Sequence, residues 1–210
     1  LTPEKRHQAR FGALFMSFFY LLKNRVFLSY SLQVSFSTAA YFTFLGGTSY
    51  VLIDLMGGTA TELGVYFVVV SAFYIAGNFV TARLTERIGI YRLIQVGTCI
   101  ALIGPFGMLI AQMTIGMVPL SFFGLMCFVA FGNGLCIATG VAGAISADPD
   151  RVGAAAGLAG SMQIGFGAVS TFVVGILLSA FETTPMPLIL VVAFCCIAAL
   201  IALLAGREKR

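Results

Sequence analysis

Residues 62–92 read ELGVYFVVVSAFYIAGNFVTARLTERIGIYR. The stretch 62–82 carries no charge after Glu62, and Arg83, Glu86, Arg87 and Arg92 then follow in close succession. An α-helix needs about 20 apolar residues to cross the approximately 30 Å hydrocarbon layer of a bilayer. A basic cluster straight after such a run orients the helix with that end in the cytoplasm. The segment reads as a membrane span closed by a basic connection.

The same pattern extends in both directions. Spans are expected at about 26–53, before a turn at Asp54–Gly58, then at 62–82, 93–112, 119–146, 152–180 and 187–205, with a short tail at 206–210. Gly104-Pro105 predicts a bend in the third span, because proline lacks the N–H that the helix ladder needs. Asp148-Pro149-Asp150 combines an N-cap acid with a first-turn proline and starts the fifth. Ahead of the first span, Thr2-Pro3-Glu4 opens a helix over about 3–24. Its apolar core, 11–22, is too short to span and is flanked by Arg6, Arg10, Lys23 and Arg25, which suits an amphipathic helix lying at the interface. The expected architecture is an all-α integral membrane protein: an interfacial linker helix at 1–25, a six-helix transmembrane bundle at 26–205 and a tail at 206–210.

Composition agrees. Hydrophobic residues make up 60% of the 210 and charged residues 10%, whereas a soluble domain carries about 25% charge. The net charge of +4 does not imply nucleic acid, since the basic residues occupy connections and chain ends rather than one solvated face interleaved with aromatics. All 12 lysines and arginines fall on one side of the mapped bundle. The other side carries Asp54, Glu62 and Glu182, so both termini are expected in the cytoplasm. The five cysteines lie inside apolar runs and the single histidine is His7, which argues against a disulfide framework or a metal site. No metalloprotease, nucleophile-elbow or phosphate-loop motif is present, so an enzyme is not expected. No ionisable residue lies well inside a span, although proton relays usually need one.

Function is sought instead in amides, hydroxyls and aromatics at helical spacing. Tyr30, Gln33, Ser37, Tyr41, Phe44 and Thr48 share one face of the first span, and Ser71, Tyr74, Asn78, Thr81 and Thr85 one face of the second. These stripes serve either as interhelical hydrogen-bond glue or as the lining of a water-accessible cavity. Asn133, between Gly132 and Gly134, is either a satisfied amide at a close helix contact or a ligand contact. Gln163 is a further cavity candidate. Gly153, Gly157 and Gly160 are read as a helix-packing surface, because small residues let helices approach closely.

The segment ARLTERIGIYR, 82–92, resembles the loop motif of the major facilitator superfamily, G-x-x-x-D/E-R-x-G-x-x-R/K, with Ala82 in place of the first glycine. The stretches FGNG at 131–134 and GAAAGLAGSMQ at 153–163 resemble the tenth and eleventh helices of the Bcr/CflA drug:proton antiporters. The resemblance implies that the six spans are helices seven to twelve of a twelve-helix transporter of the bacterial inner membrane. It further implies alternating access driven by the proton gradient, with no cofactor, and export of lipophilic or cationic small molecules. The seventh, eighth, tenth and eleventh helices would line the cavity and the third and sixth spans here would be peripheral. A missing N-terminal half would hold the proton-binding acid, and the polar start without methionine fits a chain that begins partway through a longer one. Arg83, Glu86, Arg87, Gly89 and Arg92 would form a cytoplasmic gate motif, pairing with the other half, or else a solvated connection that enforces topology. The alternatives are a six-helix channel or half-size protein acting as a homodimer, with a second copy as partner, and a scaffolding membrane domain.

Overall fold

The computed structural model describes residues 16–114, 116 and 118–206. Its helices are α1 (16–23), α2 (Arg25–Ser49), α3 (Ala60–Ile88), α4 (Ile90–Thr114), α5 (Pro119–Ser146), α6 (Val152–Ala180) and α7 (Met186–Ala205). A π-helical segment, Tyr50–Leu55, prolongs α2, and a 3-10 turn, Pro149–Arg151, leads into α6. Most of the expected interfacial helix and the last four residues of the tail lie outside the described residues. The part that is described, α1, seats the buried Leu21 against Phe27, Ala144, Ala155 and Ala159.

The boundaries have local causes. The Asn24 side chain accepts hydrogen bonds from the Val26 and Phe27 backbone N–H groups, at 2.9 and 3.2 Å, and caps α2. Its own amide donates to the Ala147 carbonyl at 3.1 Å, which ties the start of α2 to the end of α5. α3 opens on a reciprocal capping box between Thr59 and Glu62, each side chain satisfying a backbone N–H that the first turn leaves free. Asp148 accepts from the Asp150 N–H at 3.2 Å and pairs with Arg151 at 2.7 Å. The expected start of the fifth span therefore holds, with one tight turn placed before the α-helix.

Among the described residues, α3 to α7, with the 3-10 turn counted into α6, are the five helices long and apolar enough to cross a membrane. The first expected span is the exception. α2 is 25 residues long but buries Ser29, Ser31, Gln33, Ser35, Ser37, Thr38, Thr43 and Thr48. It tolerates them because it is the central helix, packed on α5, α6 and α7, and because several hydroxyls donate to carbonyls: Ser35 to Ser31 at 2.7 Å, Thr48 to Phe44, and Ser29 to Ala202 at 2.8 Å. Lipid-facing hydropathy is thus a poor guide to a helix enclosed by other helices.

One further expectation is corrected. The basic segment after the second span is not a loop at 83–92, since α3 runs on to Ile88 and α4 begins at Ile90. Only Gly89 separates them, with φ +85° and ψ 151°, a conformation open essentially to glycine alone. Pro105, where a bend is expected, lies within α4, which runs as one element from Ile90 to Thr114.

Candidate substrate cavity and gate

The polar stripe of the first span divides into a sealed part and an open part. Gln33 is 0% exposed, Asn133 1% and Ser37 4%. Gln33 donates through Nε2 to Ser37 Oγ at 3.0 Å and to Thr98 Oγ1 at 3.2 Å, and Asn133 donates through Nδ2 to the Ser37 carbonyl at 3.0 Å. These groups join α2, α4 and α5 in one buried network, in which Gln33 Oε1 has no hydrogen-bond partner. Phe44 is also fully buried, inside a cluster with Phe67, Phe122 and Phe123.

The open part is aromatic. Tyr41 of α2 and Tyr74 of α3 are half-buried, and their rings stack with centroids 6.2 Å apart and planes inclined by 24°. Asn78, also half-buried, donates to the Tyr74 carbonyl at 3.0 Å. Gln163 stands on another side of α2, where its Nε2 donates to Thr38 Oγ1 at 2.8 Å. The eight candidates are therefore not one constellation: Gln33, Ser37 and Asn133 form the sealed network, Tyr41, Tyr74 and Asn78 the aromatic lip, Phe44 belongs to the core, and Gln163 bridges α6 to α2.

Sequence reading missed Thr98 and Thr38 as the partners of the two glutamines, and the stack of Tyr66 on Phe123 at 4.1 Å with planes 5° apart. The inward face of α3 carries Leu63, Tyr66, Phe67, Val70, Tyr74, Gly77 and Thr81, one step round from the stripe of Ser71 and Asn78. A three- and four-residue spacing of aromatic and small residues was the available signal.

Close helix crossings inside the chain do not use Gly153, Gly157 or Gly160. A Cβ at any of these would meet nothing within 4 Å, and α6 packs instead through Ala155, Ala159, Gly167, Ser170, Val174 and Leu178. Among the glycines at close crossings are Gly77 with Gly134, where a Cβ on the first would collide with the Phe131 carbonyl, and Gly97 with Gly132.

The gate motif lies at one end of the bundle. Arg83, Glu86, Arg87, Gly89 and Arg92 are all exposed. The Arg83 guanidinium sits 4.3 Å from the centre of the Phe79 ring, and Arg151–Asp148 is the one ion pair among the described residues. Glu86, Arg87 and Arg92 thus form no ion pair with the described residues.

A helical bundle of apolar spans with a basic glycine-punctuated hairpin narrows the families available, and comparison with known proteins supplies the deciding observation. The family model described as MFS/sugar transport protein matches residues 2–206. The chain belongs to this major facilitator family. It is 24% identical over 201 residues to a bicyclomycin resistance protein homolog of Haemophilus influenzae, covering 95% of this chain and 49% of that protein. It is 26% identical over 189 residues to the uncharacterized MFS-type transporter YdgK of Bacillus subtilis, covering 90% of this chain and 46% of that one. This major facilitator chain is a multi-pass membrane protein, and it spans about half the length of the curated relatives it matches.

Proposed function

We propose that the chain is the C-terminal half of a proton-coupled efflux transporter of the bacterial inner membrane, exporting lipophilic or cationic small molecules by alternating access. The observation that carries this reading is the Tyr41–Tyr74 lip beside two buried amides whose N–H groups already donate to Ser37 and Thr98. Stacking and apolar contact tolerate varied shapes, and an aromatic face attracts cations. A sugar, by contrast, asks for free amides and charges around its hydroxyls, and Gln33 and Asn133 are enclosed in the bundle. The name of the Haemophilus influenzae relative, a drug-resistance homolog, points the same way.

α3 buries only Val70, Gly77 and Thr81, and its opposite side is left for a second body. That body is an N-terminal six-helix half, which supplies the proton-binding acid that this half lacks. Glu86, Arg87 and Arg92 close the cytoplasmic side by pairing with it, and the end that carries Asp54, Glu62 and Glu182 faces outward. The test is pH-gradient-driven movement in vesicles holding the full-length protein, with lipophilic dyes, cationic antibiotics and sugars as substrates. Gradient-dependent movement of dyes or antibiotics is expected. Movement of sugars alone, or of nothing, overturns the efflux reading.

A further inference from the structure

A groove of about 1000 Å³ runs between α6 and α7, with Phe36 and Ala39 of α2 as its floor. The two helices follow each other in the chain yet are splayed: Phe36 reaches between them, edge-on to Phe166 at 5.0 Å and to Phe194 at 6.2 Å. The walls open outward, since Val169 and Phe194 are each 64% exposed. Phe36 and Ala39 lie on a different side of α2 from Gln33, Ser37 and Tyr41, so the groove is not the aromatic lip.

Every hydroxyl that lines it is already engaged. Ser161 donates to the Gly157 carbonyl at 2.8 Å, Ser170 to the carbonyls of Ala39 at 3.0 Å and Gly167 at 2.8 Å, and Thr184 accepts from the Met186 N–H at 3.2 Å. A water molecule needs two to four polar partners to stay in a cavity, and beyond these three hydroxyls the lining side chains are apolar. Both flanking helices are long and apolar enough to cross a membrane, which suits a groove that opens to the hydrocarbon layer. From Ser161 to Leu177 the wall on α6 rises about 24 Å at 1.5 Å per residue, most of the approximately 30 Å hydrocarbon thickness.

The groove also differs from the side of α6 suited to another protein body. At 100° per residue, Gly153, Gly157, Gly160 and Gly175 share one side, while Gly165, Val169 and Val173 lie roughly two-fifths of a turn further round. Small residues mark helix-to-helix contact in membranes; the groove side is bulky and concave instead.

One mouth of the groove carries a charge. Phe181 and Thr184 line it, and the exposed Glu182 lies between them in the chain, its backbone carbonyl accepting from the Tyr50 hydroxyl at 2.9 Å. At this end of the bundle the described acids are Asp54, Glu62 and Glu182, and no described lysine or arginine accompanies them.

We propose that the α6–α7 groove is a binding site for one acyl chain of a bilayer phospholipid whose headgroup carries an ammonium, placed by Glu182. The chain fills a space whose walls otherwise lack contact partners, and the carboxylate selects an aminophospholipid over an anionic one. The site depends on membrane insertion alone and not on which compound is transported.

The full-length protein is reconstituted in nanodiscs with equal phosphatidylethanolamine and phosphatidylglycerol, extracted in mild detergent and weighed by native mass spectrometry. Retention of at least one phosphatidylethanolamine is expected. Gly165 lines the groove, and a Cβ there meets open space, so Gly165→Leu fills the groove without disturbing packing and lowers that retention at least fivefold, while Gly165→Ala keeps it. Val169→Trp is a second filler on the same wall, used if Gly165→Leu is poorly expressed. Glu182→Gln keeps a bound lipid but loses the preference for phosphatidylethanolamine. Wild-type protein without bound lipid, as when the other half covers the groove, overturns the proposal, as does undiminished retention in both filled variants. An unchanged headgroup preference in Glu182→Gln removes the role of the carboxylate.

Discussion

Gly77 and Gly157 are the same residue in opposite surroundings. At Gly77 the α3 backbone lies against that of α5, and an added Cβ would meet the Phe131 carbonyl and approach the Gly134 Cα to 3.0 Å. Backbone cannot swing aside as a flexible side chain can, so Gly77→Val must push the two helices apart. A loss of about 1–3 kcal/mol is expected, the ordinary range for overpacking, read as a lower unfolding midpoint in detergent. At Gly157 an added Cβ finds nothing within 4 Å. Gly157→Ala should leave the stability of the chain unchanged or raise it by up to about 1 kcal/mol, the helix-propensity gain. Equal midpoints for Gly77→Val and wild type would mean that the α3–α5 crossing is looser than described.

At the scale of elements, hydropathy located the spans because water and hydrocarbon sort residues by composition. The limits of α5 and α6 could be read directly: Pro119 opens one, and Asp148-Pro149-Asp150 precedes the other. Which side of a helix faces which neighbour was not legible, since that depends on residues far away in the chain. Gly153, Gly157 and Gly160 have the spacing of a packing surface, yet Ala155 and Ala159 are what α6 buries. Gln33 has the look of a cavity residue until Thr98, 65 positions on, takes its amide. The basic hairpin shows the same limit, since charge suggested a loop where Thr85, Glu86 and Arg87 remain helical and Gly89 alone turns the chain. Gly89→Ala forces a side chain into the glycine-only region and is expected to cost about 1–3 kcal/mol, again seen in the unfolding midpoint. Glu86→Gln, at an exposed position, should leave that midpoint alone. If Glu86 closes the gate, the same change slows transport by the full-length protein several-fold; transport at the wild-type rate would leave it only a topological role.

For the whole molecule, the uneven burial of the spans is the informative property. α5 buries residues on several sides, including Phe122, Phe123, Met126, Val129 and Asn133, whereas α3 buries three residues and α6 six. A half-bundle that packed only for its own stability would not leave two long helices so open. On α6 the open side is lined by Gly153, Gly157, Gly160 and Gly175, where an added Cβ would meet none of the described residues within 4 Å. Lipid gives no reason to keep glycine there, since each one lowers helix stability by about 1 kcal/mol relative to alanine; close approach of another helix does. Gly157→Leu separates the two situations. Within this chain the added side chain meets open space, so insertion and unfolding midpoint should match wild type. In the full-length protein it would stand in the way of the other half, and transport should fall about tenfold, as a displacement of about 1.4 kcal/mol in the equilibrium between access states would produce. Wild-type transport by Gly157→Leu would place this side of α6 in lipid and move the inter-half contact to α3.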